Sequence, residues 1–366
     1  MRAVLYRDYG VMPEVADVPE PACPDDGVVI SVGATGVCRS DWHAWKGHDT
    51  VRLPHIPGHE LAGTIAQAGP AVTGWRPGDR VTVPFACGCG RCEYCRAGEA
   101  QVCPDQTQPG FTSPGSFAER VAIHAADTNL VGLPDAVDAV TAASLGCRFA
   151  TAYRALTGHA RLRPGEWLAV HGCGGVGLSA VHIGAALGAR VIAVDVAGAA
   201  LDRARDLGAE HAILSATNTD PAPVIQDLTG GGAHVSVDAL GSAATLASSV
   251  RSLRRRGRHV QVGLLLGAEA APPVPMDLVI ARELEIYGSH GMAAVDYPSM
   301  LAQVAGGTLR PGLLVGEVIG LEQAGPALAA MDGPHAAAGM TVVIPAADGR
   351  TWPGLVTRPY EPGAAG

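Results

Sequence analysis

The second half of the chain alternates between short apolar segments and segments of helical periodicity, and this alternation constrains the fold more than any other feature. Six strands rich in valine, isoleucine and alanine are predicted between residues 167 and 287. Such alternation is typical of a parallel, doubly wound α/β sheet with helices on both faces. The predicted strands are Trp167–His171, Arg190–Asp195, His211–Leu214, His234–Asp238, His259–Gly263 and Glu283–Tyr287, and the predicted helices are Val176–Leu187, Ala199–Leu207, Ala222–Leu228 and Ala243–Arg256.

A glycine-rich turn connects the first of these strands to the first helix. Gly172, Gly174 and Gly177 satisfy the pattern G-x-G-x-x-G. In order, they allow a tight turn, a close approach of a pyrophosphate to the backbone, and close packing of helix on strand. Asp195 ends the next strand, where a carboxylate accepts hydrogen bonds from ribose hydroxyls and its charge repels a 2′-phosphate. The turn predicts a dinucleotide site that prefers NAD to NADP; a tight turn without a ligand is the alternative.

Four closely spaced cysteines form a second local pattern. Cys89, Cys92, Cys95 and Cys103 follow the spacing C-x2-C-x2-C-x7-C. This spacing lets four thiolates converge on one tetrahedral ion, and thiolate-rich sites favour zinc. Disulfides are the alternative, but the first three cysteines are too crowded to pair easily with one another. Because a closed four-cysteine site leaves no position for a substrate, we expect this zinc to be structural.

The rest of the chain suggests two further segments. Residues 1–149 contain short apolar runs broken by glycine and proline, which predicts an irregular β domain with long loops. The strand–helix alternation occupies residues 150–288, and residues 289–366 again lack a regular alternation of strand and helix patterns. There, a strand at Met340–Ile344 is expected to rejoin the first domain, and the tail from Ala346 is expected to pack loosely. The apolar runs of the first domain are Val28–Val32, Leu61–Ile65, Arg80–Val83 and Phe117–Ile123, and the cysteine lobe spans residues 87–104.

Charge and hydropathy argue against nucleic-acid and membrane partners. The formal net charge is −9, and the longest basic cluster, residues 254–258, falls at the end of a predicted helix, where cations suit the helix dipole. No stretch has the length and uniform apolarity of a membrane span, and the N-terminus resembles a strand rather than a signal peptide. We therefore expect a cytoplasmic protein, in which nine cysteines indicate metal binding or catalysis.

Several cysteine and histidine residues that lie far apart in the first 149 residues become informative when they are considered together with these two motifs. Cys38 opens the run Cys-Arg-Ser-Asp-Trp-His, His59 lies in a Gly-His-Glu loop, and Cys147 precedes the nucleotide-binding segment. Each residue alone is unremarkable. Together with the four-cysteine lobe and the glycine turn, in this order, they resemble the zinc-dependent medium-chain alcohol dehydrogenases over nearly the whole chain.

The resemblance implies a GroES-like irregular β catalytic domain beside a Rossmann domain, with one catalytic and one structural zinc ion per subunit. By this resemblance, Cys38, His59 and Cys147 bind the catalytic zinc and leave its fourth position open. Glu60 is similar to a carboxylate that approaches the metal during ligand exchange, and Asp41 to one that orients His59. Ordinary loop polarity is the alternative for Glu60 and Asp41.

The resemblance also implies a reaction, the interconversion of a primary or secondary alcohol and its aldehyde or ketone with hydride transfer to NAD. Zinc lowers the pKa of the hydroxyl, and the proton leaves through Ser40, the nicotinamide ribose and His43 to give a zinc-bound alkoxide. A surface histidine without a role is the alternative for His43. Further implied positions are Arg39, Gly175, Val176 and Leu264 at the cofactor and Phe85 and Trp42 at the substrate, with Trp45 and Arg148 as additional candidates for the cleft.

Two departures from the family pattern affect the expected cofactor contacts. Ala200 stands where a basic residue is common, so Arg203 is the candidate substitute. Met340 stands near the final strand, where a basic residue often meets the pyrophosphate. We therefore expect Arg39 and the glycine turn to carry more of the cofactor affinity.

Other functions also fit parts of the sequence. A zinc polyol or amino-alcohol dehydrogenase would share the fold, although polyol enzymes often have Glu where this chain has Cys147. A non-catalytic zinc- and nucleotide-binding protein is the alternative from another class. The connection from Cys103 to Gly115 is short, as in microbial members of the family, which by analogy favours a homotetramer over a homodimer.

Overall fold

The long strand Val28–Val37 is the centre of the first domain, because its residues are small or apolar and nearly all buried. The computed structural model describes residues 1–215, 219–333 and 339–345. The elements of this part are β1 (Arg2–Leu5), β2 (Glu14–Asp17), β3 (Val28–Val37), α1 (Arg39–Trp45), β4 (Glu60–Ala68), β5 (Arg80–Thr82), α2 (Glu93–Arg96), β6 (Arg120–Ile123), α3 (Ala126–Asn129), β7 (Val131–Gly132), α4 (Ala139–Ala143) and α5 (Ala150–Arg154). Strand β3 pairs antiparallel with β4 and β6, and β4 pairs with β5. The result is the irregular β domain with long loops that the sequence predicts.

The second domain is a parallel sheet with helices. Its elements are β8 (Trp167–His171), α6 (Gly175–Ala186), β9 (Arg190–Asp195), α7 (Gly198–Asp206), β10 (His211–Leu214), α8 (Ala222–Thr229), β11 (Ala233–Asp238), α9 (Ala243–Arg251), β12 (Leu253–Gln261), α10 (Met276–Arg282) and β13 (Glu285–Gly288). The six strands lie in the order β10-β9-β8-β11-β12-β13. The order reverses beside β8, and this switch point places the turn after β8 at the edge where ligands bind in such sheets.

The structure differs from the sequence prediction around residue 252. Helix α9 ends at Arg251, five residues before the predicted end, and strand β12 begins at Leu253 rather than at His259. The basic cluster therefore lies in a strand, where Arg256 adopts a left-handed φ of 61° and pairs with Glu283 at 2.5 Å. The prediction was wrong because a run of exposed arginines has the composition of a helix end, whereas the strand is set by the tertiary pairing of the flanking Leu253 and Arg258 with β11.

The chain returns to the first domain after β13. The remaining described elements are α11 (Tyr297–Ala305), β14 (Val315–Gly320), α12 (Ala324–Ala329) and β15 (Met340–Ile344). Strand β15 pairs parallel with β14 and antiparallel with β3, so the end of the chain extends the sheet of the first domain. The tail predicted from Ala346 lies outside the described residues. Among the described helices, none combines the length and apolarity needed to cross a bilayer.

Candidate active site and metal centres

Three predicted metal ligands from distant parts of the sequence meet at one point. Cys38 precedes α1 at the end of β3, His59 precedes β4, and Cys147 lies in a wide helical turn, Leu145–Phe149. Their ligand atoms all lie within 4.8 Å of one another. Two sulfur atoms and one imidazole nitrogen at this spacing form a donor set that suits zinc and leaves one coordination position free.

The orientation of His59 supports this interpretation. Its Nδ1 lies 2.8 Å from Oδ1 of the fully buried Asp41, which also accepts hydrogen bonds from the backbone N–H groups of Gly58 and Cys38 at 3.0 Å each. The Nε2 atom of His59 is buried and has no hydrogen-bond partner in the described part of the chain. A buried polar atom without a partner is costly, so this nitrogen fits a metal ion that shares it with the two cysteines.

The electrostatic surroundings favour a thiolate at Cys38. A hydrogen bond from Cys147 holds the pKa of Cys38 well below its ordinary value despite burial, and the Arg148 charge adds to the effect. Because the thiolate is the form that binds metal, this environment suits ligation by Cys38, whereas the same hydrogen bond raises the pKa of Cys147.

Glu60 is fully buried and bound to Arg148. Its carboxylate accepts hydrogen bonds from the backbone N–H groups of Cys147 at 3.0 Å and Arg148 at 3.2 Å, from Arg148 Nε at 3.1 Å, and from Arg148 Nη2. Burial raises the pKa of Glu60, whereas the Arg148 charge lowers it. In this structure the carboxylate is therefore held by Arg148 beside the three candidate ligands and is not one of them.

The candidate proton-transfer residues lie on and after α1. Ser40 Oγ lies 3.9 Å from Cys38 Sγ. The Nδ1 atom of the half-buried His43 lies 2.9 Å from Nδ1 of the exposed His48, so one ring donates to the other. Partial burial lowers the pKa of His43, and the neighbouring His48 lowers it further. Sequence reasoning did not single out His48; its spacing of five residues from His43 was the available signal.

The predicted pocket residues divide into two groups. The ring centroid of Phe85 lies 6.2 Å from that of His59, beside the candidate ligands. By contrast, Trp42 donates a hydrogen bond to Asp332 at 2.7 Å, and Arg39 stacks on Trp42 at 4.6 Å. Two further rings close to Phe85 or His59 were missed by sequence reasoning, namely Phe111, at 5.2 Å from His59, and His290, at 5.2 Å from Phe85.

Two further candidates, Arg39 for the cofactor and Trp45 for the cleft, make hydrogen bonds within the protein. Arg39 donates a hydrogen bond to the Met331 carbonyl at 2.7 Å, which directs its guanidinium toward the loop after α12. Trp45 is buried and donates to the Val11 carbonyl at 2.6 Å. Both side chains are thus committed to protein contacts in this structure.

The glycine turn has the geometry its pattern requires. Gly172 adopts a φ of 90°, and a Cβ atom at Gly177 would overlap the carbonyl oxygen of Gly172. Gly174 faces open space, since a Cβ there would meet no protein atom within 4 Å. Gly175 begins α6, whose free N–H groups face the same space. These features leave room for phosphates directly over the backbone.

The predicted ribose carboxylate lies at the end of β9. Asp195 accepts hydrogen bonds from the N–H groups of Cys173 at 2.6 Å and Ala197 at 2.8 Å, which fixes it against the glycine turn. Val176, the second residue of α6, is half-buried against the core. Leu264 lines a cavity of about 560 Å³ between the nucleotide-binding domain and the cysteine lobe, together with Gly263, Ser289, His290, Tyr94 and Gln101.

The four-cysteine lobe forms a second cluster. The sulfur atoms of Cys89, Cys92, Cys95 and Cys103 lie within 4.8 Å of one another. Backbone N–H groups point to two of them, from Cys89 to Cys103 Sγ and from Cys95 to Cys92 Sγ, each at 3.4 Å. All nine cysteines are free, so the structure contains no disulfide in this lobe. The arrangement supports a structural zinc site.

We expect Cys103→Ser to remove one equivalent of zinc and to lower the melting temperature. Structural zinc contributes directly to folding, and a loss of about 2 kcal/mol corresponds to roughly 4–8 °C in a domain of this size. Elemental analysis and calorimetry measure both effects. Cys23→Ser, at a cysteine outside both clusters, is the matched control, and an unchanged zinc content in Cys103→Ser would exclude the site.

Comparison with known proteins agrees with this geometry. The profile of the family "Alcohol dehydrogenase GroES-like domain" matches residues 24–135, and that of "Zinc-binding dehydrogenase" matches residues 175–306. An alcohol dehydrogenase of Geobacillus stearothermophilus is 32% identical over 314 residues, which cover 85% of this chain and 90% of that relative.

Solved structures extend the similarity to three dimensions. An NAD-dependent alcohol dehydrogenase matches with a TM-score of 0.84 and 31% identity, covering 94% of this chain and 100% of that chain. The alcohol dehydrogenase TADH from Thermus sp. ATN1 matches with a TM-score of 0.87 and 29% identity, over 94% and 100% of the two chains. The predicted fold class, a GroES-like domain with a Rossmann sheet, is confirmed.

Proposed function

The chain belongs to the zinc-dependent medium-chain alcohol dehydrogenases, and from this premise we propose that it interconverts a primary or secondary alcohol and its aldehyde or ketone with NAD as hydride carrier. One observation carries the proposal: the buried Nε2 of His59, which has no hydrogen-bond partner among the described residues, lies near the sulfur atoms of Cys38 and Cys147. Three donors and a free fourth position are the ligand arrangement of catalytic rather than structural zinc sites.

The residues of the chain prepare the site for this reaction. When bound, zinc supplies a Lewis acid for the alcohol oxygen, and NAD supplies the hydride acceptor. Cys38, His59 and Cys147 would hold the metal, and Asp41 fixes the ring of His59 so that Nε2 points to it. Phe85, beside His59, provides an apolar wall that excludes water from the reacting carbon.

A proton released from the alcohol needs a path to solvent. Ser40, next to Cys38, is the first hydroxyl on that path, and His43 is the first residue able to accept a proton near neutral pH. Its hydrogen bond to the exposed His48 continues the path outward. Because its pKa is lowered, His43 is uncharged at neutral pH and ready to accept.

We expect His43→Gln to reduce kcat for alcohol oxidation at neutral pH by about 100-fold, the lower range for loss of an acid–base group. The wild-type rate should fall as the pH drops through the lowered pKa of His43, because the protonated ring can no longer accept. The pH–rate profile of the variant should lack this fall at low pH. Its rate should approach that of the wild type at high pH, where hydroxide takes the proton. Steady-state rates across pH measure this; parallel profiles would contradict the role. His48→Gln, which leaves His43 intact, should have a smaller effect.

The proposal favours NAD over NADP because of Asp195. Its carboxylate stands against the glycine turn at the end of β9, where a 2′-phosphate would be repelled. A panel of alcohols and carbonyl compounds, each assayed with NAD(H) and NADP(H), tests both the reaction and this preference. Consistently higher kcat/KM with NADP would contradict the role of Asp195, and the absence of any alcohol-dependent NADH formation would contradict the reaction.

The alternatives from the sequence give different results in the same panel. A polyol or amino-alcohol dehydrogenase would favour substrates with a second hydroxyl or an amine, whereas a non-catalytic binder would bind NADH without turnover. Cys147 as third ligand candidate favours the simple alcohol. Tetramer formation and a cytoplasmic location stay predictions, and light scattering of the purified protein tests the first.

A further inference from the structure

Arg148 lies between the candidate zinc site and the glycine turn, although the sequence pattern gave it no defined role. It directly follows Cys147 in the wide turn Leu145–Phe149, and only 8% of its surface is exposed. A Cβ atom at Gly175 would overlap its Cδ and lie 3.4 Å from its Nε. The start of its guanidinium group therefore packs against the first residue of α6, at the helix end where phosphates bind.

The charge of Arg148 is only partly used within the protein. Its Nε and Nη2 atoms bind the Glu60 carboxylate. Within the described residues, Nη1 donates a hydrogen bond to no acceptor. This nitrogen is nevertheless not fully buried. Nη1 therefore keeps some contact with solvent and has N–H groups left to donate to a ligand. Glu60 fixes the plane of the group, so that this one nitrogen is presented in a defined direction.

The other arginines expected to meet phosphates are engaged elsewhere. Arg39 stacks on Trp42 and donates to the Met331 carbonyl. Arg203 donates to the Leu313 carbonyl. Near the final strand, Met340 is buried and carries no charge. Of these candidates, Arg148 is the one whose side chain lies against the glycine turn in the described part of the chain.

We propose that Arg148 contacts the pyrophosphate of the bound dinucleotide through Nη1, while Glu60 positions its guanidinium through the other two nitrogens. The inference rests on the proposed function, since it requires a dinucleotide over the glycine turn. It replaces the expectation that Arg39 supplies this charge. A hydrogen bond between a guanidinium and a phosphate is charge-assisted and therefore stronger than one between neutral groups. Because Arg148 directly follows Cys147, this contact would link cofactor binding to the segment that carries a candidate metal ligand.

The test compares two ligands that lack the nicotinamide ring, so that neither chemistry nor the zinc site contributes. ADP-ribose contains the pyrophosphate, whereas adenosine contains no phosphate and keeps the adenine and the ribose expected at Asp195. We expect Arg148→Gln to raise the Kd of ADP-ribose about 10-fold, equivalent to ~1.4 kcal/mol, and to leave the Kd of adenosine unchanged. Calorimetric titration of the purified full chain measures both.

Matched variants keep the test decisive. Because Arg148→Gln leaves a buried carboxylate without a partner, the comparison is repeated between Glu60→Gln and the double variant Glu60→Gln/Arg148→Gln, neither of which contains that carboxylate. The same selective loss for ADP-ribose is expected there, and Arg39→Gln should cause a smaller loss. Equal ADP-ribose affinity with and without Arg148 in the Glu60→Gln background would overturn the inference. If the wild type binds neither ADP-ribose nor NADH, the proposed function itself fails.

Discussion

Replacing Cys38 by serine is expected to remove one zinc ion per chain and to lower kcat/KM for alcohol oxidation by at least about 1,000-fold, or ~4 kcal/mol of transition-state stabilisation. The hydroxyl of serine is a much poorer zinc ligand than a thiolate, and loss of Cys38 leaves only two of the three converging donors. Elemental analysis and steady-state kinetics on the same preparation measure the two effects together.

Two other cysteine variants separate this effect from general damage. Cys23→Ser changes a cysteine outside both clusters and should retain both ions and full activity. Cys103→Ser should lose an ion from the other cluster and affect stability first. Unchanged turnover in Cys38→Ser, with both ions retained, would show that the reaction occurs elsewhere.

Gly177→Ala is expected to weaken NADH binding by about 100-fold or more and to destabilise the protein by ~1–3 kcal/mol, the usual cost of overpacking. The added Cβ would overlap the carbonyl oxygen of Gly172, so helix α6 and strand β8 must separate. The phosphates would then lose both the turn and the helix N-terminus. NADH fluorescence titration and thermal unfolding measure the change.

Gly174→Ala is the matched control, because the same methyl group there meets no protein atom within 4 Å. We expect it to unfold at the wild-type temperature but to bind NADH less tightly, since the methyl group occupies space needed by the phosphates. Comparison of the two variants thus distinguishes a defect in the packing of the protein from a loss of contact with the bound NADH. Wild-type NADH affinity and stability in Gly177→Ala would refute the account of the turn.

The strands of the nucleotide-binding domain could be predicted closely because their own residues determine them. Strands β8, β9 and β10 begin and end at the predicted residues. Strands β8 and β9 are apolar runs in the buried interior of the sheet, and β10 is a short, partly exposed strand at its edge. The boundary between α9 and β12 could not be predicted, because the arginines there suit a helix end equally well and only the pairing of β12 with β11 decides between the two.

The candidate site shows the same division between local and tertiary information. The family resemblance, and not any spacing rule, selected Cys38, His59 and Cys147, and the structure brings them together. The Glu60–Arg148 pair follows from no spacing rule, because it joins residues 88 positions apart. Each of the two nevertheless directly follows a candidate metal ligand in the sequence, and that adjacency was the signal for their proximity.

The contacts of Arg39 and Trp42 depend on a loop far away in the chain. The family resemblance placed Arg39 at the cofactor and Trp42 at the substrate, but α1 turns their side chains toward Met331 and Asp332 after α12. Phe111, which lies against His59, and His290, which lies against Phe85, are likewise in loops without a recognisable sequence motif. Pocket residues on such loops are set by tertiary packing, so spacing alone does not identify them.

Anomalous diffraction at the zinc absorption edge, from crystals of the wild-type protein grown with NADH, locates each zinc ion and identifies its ligands. The account predicts two ions per chain. One is held by the four cysteines of the lobe, and the other by Cys38, His59 Nε2 and Cys147, with its open side toward Ser40 and with Glu60 still bound to Arg148. A single ion in the cysteine lobe, or a second ion closed off by Glu60 as a fourth protein ligand, would contradict the account.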